Sequence, residues 1–249
     1  MGLAEIITVV VSIAGAFVGG VCGLGSYMVI IPVMALFFPV HDVILACCLT
    51  APVLSFMMSW QYRSHCRWRS LVPMLAGAVP GTLCGVWIIA VVSSAVLQLL
   101  LGLMLLAFLY WQQVGKARCS AGGGHETWQL GGLAGYFGAL IGASLSMGGP
   151  AVAAYGLYVG WAPQAFLGTT CTFFLLRSLM IALTQSLAGL YSADVVHLVL
   201  YMIPSCLLGT ALSFPVVKRI NVATFRALVK VIILLAACSC LWRARELFA

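Results

Sequence analysis

The sequence predicts an all-α polytopic membrane protein made of two inverted structural repeats. Each repeat is expected to begin with a broken or re-entrant helix pair and to continue with three transmembrane helices. Composition, the spacing of apolar segments and an internal duplication support this prediction. Of the 249 residues, 63% are hydrophobic and 7% are charged, whereas a soluble domain has about 25% charged residues. So few charges cannot cover a water-exposed surface.

Apolar segments follow one another along almost the whole chain. Most are long enough to cross a bilayer, which takes about 20 residues. The second, sixth and seventh have only about 14 residues each, too few to cross alone. These short segments enclose two Gly/Ser clusters, CGLGS at 22–26 and SLSMGG at 144–149. The segments lie at about 3–22, 26–39, 43–62, 71–92, 95–111, 130–143, 147–160, 164–190, 194–214 and 223–242.

Two pairs of landmarks indicate that the chain duplicates itself. The stretch GVCGLGSYMVIIP aligns with ASLSMGGPAVAAYG, so that Gly23 matches Ser146 and Gly25 matches Gly148. Further along, VPGTLCG (79–85) matches IPSCLLG (203–209) at nearly the same spacing. Duplicated halves with Gly/Pro-interrupted segments in matching places are typical of a transporter. We therefore predict a first repeat at 1–112, a cytoplasmic linker at 113–128 and a second repeat at 129–249.

The basic residues predict the orientation. They cluster in loops 63–70, 112–128 and 218–226, which fall on one side if each half has five segments. Cytoplasmic loops carry the excess of Lys and Arg, so this side is expected to be cytoplasmic, in a multi-pass protein of the inner (plasma) membrane. An odd number of segments inverts the second repeat. The sequence leaves open whether segments 1–2 and 6–7 are re-entrant hairpins or full crossings.

The interrupted segments suggest an anion site. A helix that begins inside the membrane presents unpaired N–H groups and about half a positive charge, and such an end binds anions. Glycine allows close approach, serine adds a hydroxyl, and proline is favoured in the first helical turn. Close packing of small residues is the alternative explanation. The candidate residues in the two clusters are Gly23, Gly25, Ser26, Ser144, Ser146, Gly148, Gly149 and Pro150.

Arg177 is the only basic residue deep within an apolar run. Ionisable residues are costly there and are functional candidates by default, and an arginine favours an anionic substrate. A structural arginine bound to backbone carbonyls is the alternative. Thr50 in CCLTAP and Thr169 with Thr170 in LGTTC are candidate hydroxyl ligands, with ordinary helix packing as their alternative.

No catalytic residue, metal or cofactor is expected. The ten cysteines form no CxxC pair, and His65-Cys66 lacks further ligands at useful spacing. The basic loops are membrane-orienting, so no nucleic-acid partner is expected. An intramembrane serine protease using Ser144 and His197 is the enzymatic alternative, but the nucleophile-elbow pattern requires a glycine where Ser146 stands.

With these motifs the chain resembles the TauE/SafE family of membrane transporters, also called the toluene-sulfonate uptake permease family. The resemblance covers both halves and rests on GGVCGLGSYMVIIP, ACCLTAP, WRSLVPMLAGAVPGTLCG, ASLSMGGPAVAAY, FLGTTCTFF and IPSCLLGTAL. Family members typically have a GxGG-like turn in each half, and here Ser26 and Ser146 replace one glycine in each turn.

The resemblance implies secondary transport of small sulfur-containing anions, such as sulfite or sulfonates like sulfoacetate. Combined with the broken segments, it predicts an anion bound between half-helix N-termini at the bilayer midplane. A carrier of another small anion such as a carboxylate, and an anion channel, are the alternatives. The expected partners are the small anionic substrate and the lipid bilayer, and a homodimer stays open as an assembly.

Overall fold

The computed structural model describes residues 3–22, 26–118, 125–217 and 234. All regular elements in these residues are helical, which confirms the all-α part of the predicted fold class, and the two inverted repeats stay a prediction. Segment 223–242, residues Gly23 and Gly25, and the basic residues of loop 218–226 lie outside the described residues. The helices are α1 (Leu3–Cys22), α2 (Ser26–Met34), α3 (Val40–Tyr62), α4 (Trp68–Val91), α5 (Ser94–Arg118), α6 (Trp128–Leu145), α7 (Gly149–Val159), α8 (Pro163–Leu187) and α9 (Ala193–Val217).

Four of the described helical stretches are long and apolar enough to cross a membrane: Val40–His65, Trp68–Val91, Gln164–Leu187 and Ala193–Ser213. They correspond to α3, α4, α8 and α9, and the protein is a multi-pass membrane protein. The helices that follow the two predicted breaks are shorter: α2 has 9 residues and α7 has 11. At 18 residues, α6 is longer than the sequence predicted.

The chain divides into two compact units, and each combines helices from both halves of the sequence. The first contains 1–50, 92–112 and 191–249, and the second contains 51–91 and 113–190. Within the first unit α1 packs on α9 and on α2. Within the second unit α4 packs along α6 and on α8, and α6 packs on α7. The predicted repeat boundaries describe a duplication of the sequence, whereas these two units are defined by which helices pack together. The repeat boundaries therefore stay a prediction.

Close approach of backbones joins α4 to α6 in the second unit. A Cβ atom added to Gly77 would collide with the carbonyl of Gly132, and one added to Gly81 with the carbonyl of Tyr136. Membrane helices gain little from hydrophobic burial against each other, so they associate through such small-residue contacts and van der Waals packing. The glycines of α4 thus hold α6 in place, and α6 carries the second break.

Candidate functional site

The second break is a tight reversal between α6 and α7. α6 ends at Leu145, and Ser146 takes the left-handed conformation, with φ of 57°. The N–H of Ser146 still donates to the carbonyl of Gly142, at 3.0 Å. α7 then begins at Gly149, with Pro150 in its first turn. The first N–H groups of α7 have no partner within their own helix, so this end of α7 is the polar end of the break.

α6 and α7 form an antiparallel hairpin. At the break, a Cβ atom on Gly148 would overlap the carbonyl oxygen of Gly138, which places the start of α7 against α6. At the other end, the indole Nε1 of Trp161, just after α7, donates to Oε1 of Glu126, just before α6, at 3.3 Å. Both ends of the pair therefore lie on the same side, and the break is the tip of the hairpin.

Arg177 reaches this tip from α8. Its side chain is buried, with 7% of its surface exposed, and its Nη1 donates to the carbonyl of Gly138 at 2.7 Å. The guanidinium carbon also lies 4.9 Å from the centre of the Phe174 ring. Arg177 is the only charged residue in α6, α7 and α8, all of which the structure describes. The charge that these three helices bring to the break is therefore positive.

Two glycines make room for this guanidinium. A Cβ atom on Gly142 or on Gly148 would overlap Nη1 of Arg177. Gly142 lies one turn before the end of α6, and Gly148 immediately precedes α7. Gly148, which belongs to the cluster that predicted the break, therefore also makes room for the arginine side chain. The hydrogen bond to Gly138 agrees with the structural alternative for Arg177, and the location at the tip of a hairpin agrees with the functional one.

Gln185 is a polar residue near the break that the sequence reasoning missed. It is fully buried, and its Nε2 donates to the carbonyl of Ala143 near the end of α6, at 3.3 Å. Gln185 lies two turns after Arg177 on α8, so the helical period puts both side chains on one face. That spacing was the signal that could have identified it.

The serines of the break differ in their roles. Ser144 donates its hydroxyl to the carbonyl of Leu140, at 2.8 Å, as serines within helices commonly do. Ser146 is 8% exposed and occupies the left-handed position. The structure thus brings together Ser144, Ser146, Gly148, Gly149, Pro150 and Arg177.

Thr169 lies elsewhere on α8. Its hydroxyl accepts a hydrogen bond from the backbone N–H of Arg67, at 3.0 Å, at the start of α4. Thr169 and Arg177 are eight residues apart, which is about 12 Å along a helix. The adjacent Thr170 is buried, and its hydroxyl makes no hydrogen bond within the described residues. Thr169 therefore caps α4 at a distance from the break.

In the first unit, Thr50 lies near the start of α2. α1 and α2 run antiparallel, because a Cβ on Gly19 would overlap Ser26 and one on Gly15 would overlap Ile30. The hydroxyl of Tyr27, which follows Ser26, lies 3.2 Å from that of Thr50. Thr50 donates its only proton to the carbonyl of Cys47, at 3.0 Å, so Tyr27 is the donor to Thr50. Tyr27 was not among the predicted site residues.

The geometry gives little support to a serine nucleophile. Ser144 donates to a carbonyl, whereas nucleophilic serines donate to a base. His197 lies in the first unit, with its Nε2 3.9 Å from Oε1 of Glu5. Among the described residues, no group of three or more His, Cys, Asp or Glu side chains is arranged to hold a metal ion.

The comparison with known families agrees with this geometry. The model of the sulfite exporter TauE/SafE family matches residues 7–240, almost the whole chain. No curated protein and no solved structure gives a significant match. The match spans both breaks, all nine helices described above and the region beyond α9. The chain therefore belongs to the TauE/SafE family of sulfite exporters and is a membrane transporter.

Proposed function

We propose that the protein is a secondary transporter of small sulfur-containing anions, such as sulfite or a sulfonate, and that the anion binds at the tip of the α6–α7 hairpin. One observation supports this most directly: Arg177 is buried at the point where α7 begins. An arginine and the positive end of a helix attract the same kind of ligand.

The groups at the tip suit a tetrahedral or pyramidal oxyanion. Free N–H groups at a helix start bind such anions without further residues. A guanidinium presents five N–H donors in a fixed plane and binds oxyanions in a bidentate manner. One donor, on Nη1, is used by the carbonyl of Gly138, which fixes the orientation of the plane. Glycine at 148 and 149 puts no side chain at the start of α7, and the guanidinium fills the space beside Gly148, so an anion at the tip would meet both.

Two matching packing contacts support the predicted duplication. A Cβ atom on Gly85 of α4 would lie 2.6 Å from the carbonyl oxygen of Leu140 and 2.7 Å from the methyl of Ala143. One on Gly209 of α9 would overlap the carbonyl of Ile13 and lie 3.0 Å from the methyl of Ala16. In both cases a glycine meets a carbonyl and an alanine three residues later.

The pairing of the helices also agrees with a duplication. If α6 duplicates α1 and α9 duplicates α4, the pair α6–α4 of the second unit corresponds to the pair α1–α9 of the first. We therefore propose repeats at 1–112 and 129–249, joined by a linker. In this proposal Gly23, Gly25, Ser26 and Thr50 of the first half also serve the anion, and this part stays a prediction.

The antiparallel α6–α7 hairpin supports the proposed topology. Because both ends of α6–α7 share one side, Arg67, Glu126 and Trp161 lie together on that side. Loop 63–70 was predicted to be cytoplasmic from its arginines, and so was the linker. We place this end of the second unit in the cytoplasm and the protein in the inner membrane.

The test is anion binding by purified protein in detergent, followed as a shift of the thermal midpoint. The panel is sulfite, thiosulfate, sulfoacetate, taurine, malonate, sulfate and chloride. A ligand at 100 times its Kd stabilises by about 2.7 kcal/mol, which shifts the midpoint measurably. We expect a sulfur oxyanion or a sulfonate to give the largest shift. A shift with malonate alone would indicate a carboxylate carrier instead.

Matched variants connect the shift to the hairpin tip. Arg177→Gln should abolish it, and Arg177→Lys should keep a smaller part, because lysine retains the charge but lacks the planar fork. Arg63→Gln is the control, since Arg63 is exposed and stacks on Trp60 at 4.1 Å. An anion shift that survives in Arg177→Gln would overturn the site. Flux into liposomes that does not saturate at millimolar anion would indicate a channel.

A further inference from the structure

A second cluster of hydrogen-bond donors lies at the other end of the α6–α7 hairpin, and an acidic side chain of the protein occupies it. Oε1 of Glu126 accepts from Nη1 of Arg67 at 3.1 Å and from Nε1 of Trp161 at 3.3 Å. Both donors converge on one carboxylate oxygen. This is the arrangement of an oxyanion site whose ligand is tethered to the chain.

The backbone around this cluster is also arranged for an anion. Arg67 immediately precedes α4, and Trp161 lies two residues before α8. The carboxylate of Glu126 is therefore held near the positive ends of two helices, which stabilise a negative charge.

Two further hydroxyl groups lie at this place. The hydroxyls of Ser70 and Tyr155 are buried, with exposed fractions of 1% and 6% for the two residues. Neither hydroxyl bonds any other described residue, and a bond between the two would still leave one proton without an acceptor. Tyr155 packs edge-on against Trp161, with ring centres 5.5 Å apart, and lies within electrostatic range of Glu126 and Arg67. Buried hydroxyls normally find a partner, so their presence here points to a ligand with more oxygen atoms than one carboxylate supplies.

We propose that Arg67, Trp161, Tyr155 and Ser70 form a cytoplasmic subsite for a small oxyanion, and that Glu126 occupies this subsite as a displaceable substitute for the transported anion. The proposal rests on the proposed function for the class of anion. Sulfite presents three oxygen atoms, so it can accept from the guanidinium and the indole and also from one of these two hydroxyls. Arg67 is half-exposed, with 48% of its side chain accessible, so an anion can reach it from the solvent.

A tethered competitor sets the occupancy of such a subsite. A group on a short tether acts at an effective concentration in the millimolar range. A free anion that binds weakly is therefore kept out until its own concentration is comparable. Removal of the Glu126 carboxylate should raise the affinity of the subsite by at least about tenfold, and neutralisation of Arg67 should remove the subsite.

Calorimetric titration of the purified protein with sodium sulfite tests this inference. We expect the wild type to bind one sulfite per chain, and Glu126→Ala to bind two. Glu126→Gln, which keeps an acceptor for the Trp161 indole, is the second variant should the alanine variant fold poorly. Adding Arg67→Gln to either variant should return the number to one, whereas adding Arg63→Gln should leave it at two.

The double variant Glu126→Ala/Arg177→Gln separates this inference from the proposed function. One sulfite per chain in that variant, lost on adding Arg67→Gln, supports the subsite even if Arg177 proves unimportant in the wild type. The same number of sulfites in Glu126→Ala and Glu126→Gln as in the wild type overturns the subsite and leaves the site at the hairpin tip untouched.

Discussion

The guanidinium of Arg177 lies where a side chain on Gly148 would have to be, at the point where α6 has ended and α7 has not begun. The glycine before a helix that starts within the membrane thus has two effects. It puts no side chain of its own beside the helix start, and it admits a cation from a third helix. Together they concentrate positive charge at the hairpin tip without a lysine or arginine on the hairpin itself.

Gly148→Ala should therefore impair the site more than an ordinary glycine substitution. Its methyl group would overlap both Nη1 of Arg177 and the carbonyl of Gly138, so the arginine has to move. We expect the anion-dependent shift of the thermal midpoint to be lost, and a destabilisation of about 1–3 kcal/mol, typical of overpacking.

Gly132→Ala is the matched control for this prediction. It lies on α6, and its added methyl would meet only the carbonyl of Pro73, at 3.8 Å. Alanine is favoured over glycine within a helix by roughly 0.5–1 kcal/mol, so this variant should be as stable as the wild type and should bind the anion. Equal anion binding by Gly148→Ala and Gly132→Ala would show that the position of the Arg177 side chain against Gly148 does not affect binding.

The sequence predicted the break because its signal is local. A left-handed Ser146, a glycine before the new helix and Pro150 after it all lie within five residues. The contact between the break and Arg177 of α8 was harder to predict from the sequence. Arg177 could be singled out by its charge, but its seat against Gly142 and Gly148 depends on how α8 packs on the hairpin, and one sequence does not encode such contacts visibly.

Residues with a tertiary role were missed or misplaced for the same reason. Gln185 and Tyr27 are ordinary residues in apolar segments, and they become notable only through their bonds to Ala143 and Thr50. Thr169 looked like a ligand, because its motif does not show that it caps α4. The end of the linker was interpreted only as a charged loop, so the hydrogen bonds of Glu126 with Arg67 and Trp161 were not predicted.

Ser146→Gly should stabilise the protein. A non-glycine residue in the left-handed region costs roughly 1–2 kcal/mol, and Ser146 is the only such residue within the described part of the chain. We expect a higher thermal midpoint for Ser146→Gly, and a lower one for Ser146→Val, whose branched side chain is strained further in this conformation.

The same two variants can assign the role of the Ser146 hydroxyl. If this hydroxyl binds the anion, Ser146→Gly should be more stable yet bind sulfite more weakly, by about 1 kcal/mol or roughly fivefold. Unchanged affinity in Ser146→Gly would assign the residue to the turn alone.

Gly85 and Gly209 should respond alike to substitution, each within its own unit. Both abut a backbone carbonyl, which cannot move aside as a flexible side chain can. We expect Gly85→Ala and Gly209→Ala each to lower the thermal midpoint, by an amount equivalent to about 1–3 kcal/mol. A variant that tolerates alanine at one position and not at the other would argue against equivalent packing of the α4–α6 and α1–α9 pairs.

Cys66 provides a test of the orientation, since it lies between α3 and α4 in loop 63–70. Burial raises the pKa of its thiol, and a hydrogen bond with Thr172 lowers it by less. The thiolate is the reactive form, so Cys66 should react more slowly at pH 8 than an exposed thiol, whose pKa is about 8.5. Its rate should continue to rise at pH values where that of the exposed thiol has levelled off.

The buried thiol of Cys66 is best compared with an exposed thiol placed in the same loop. In a Cys66→Ser background, Ser64→Cys provides an exposed thiol in the same loop, and peptide mapping after a membrane-impermeant maleimide distinguishes either from the other cysteines. If loop 63–70 is cytoplasmic, both thiols react in inside-out vesicles and neither reacts in right-side-out vesicles. Labelling of Ser64→Cys from the outside would reverse the orientation and would move the Glu126 subsite to the opposite face of the membrane.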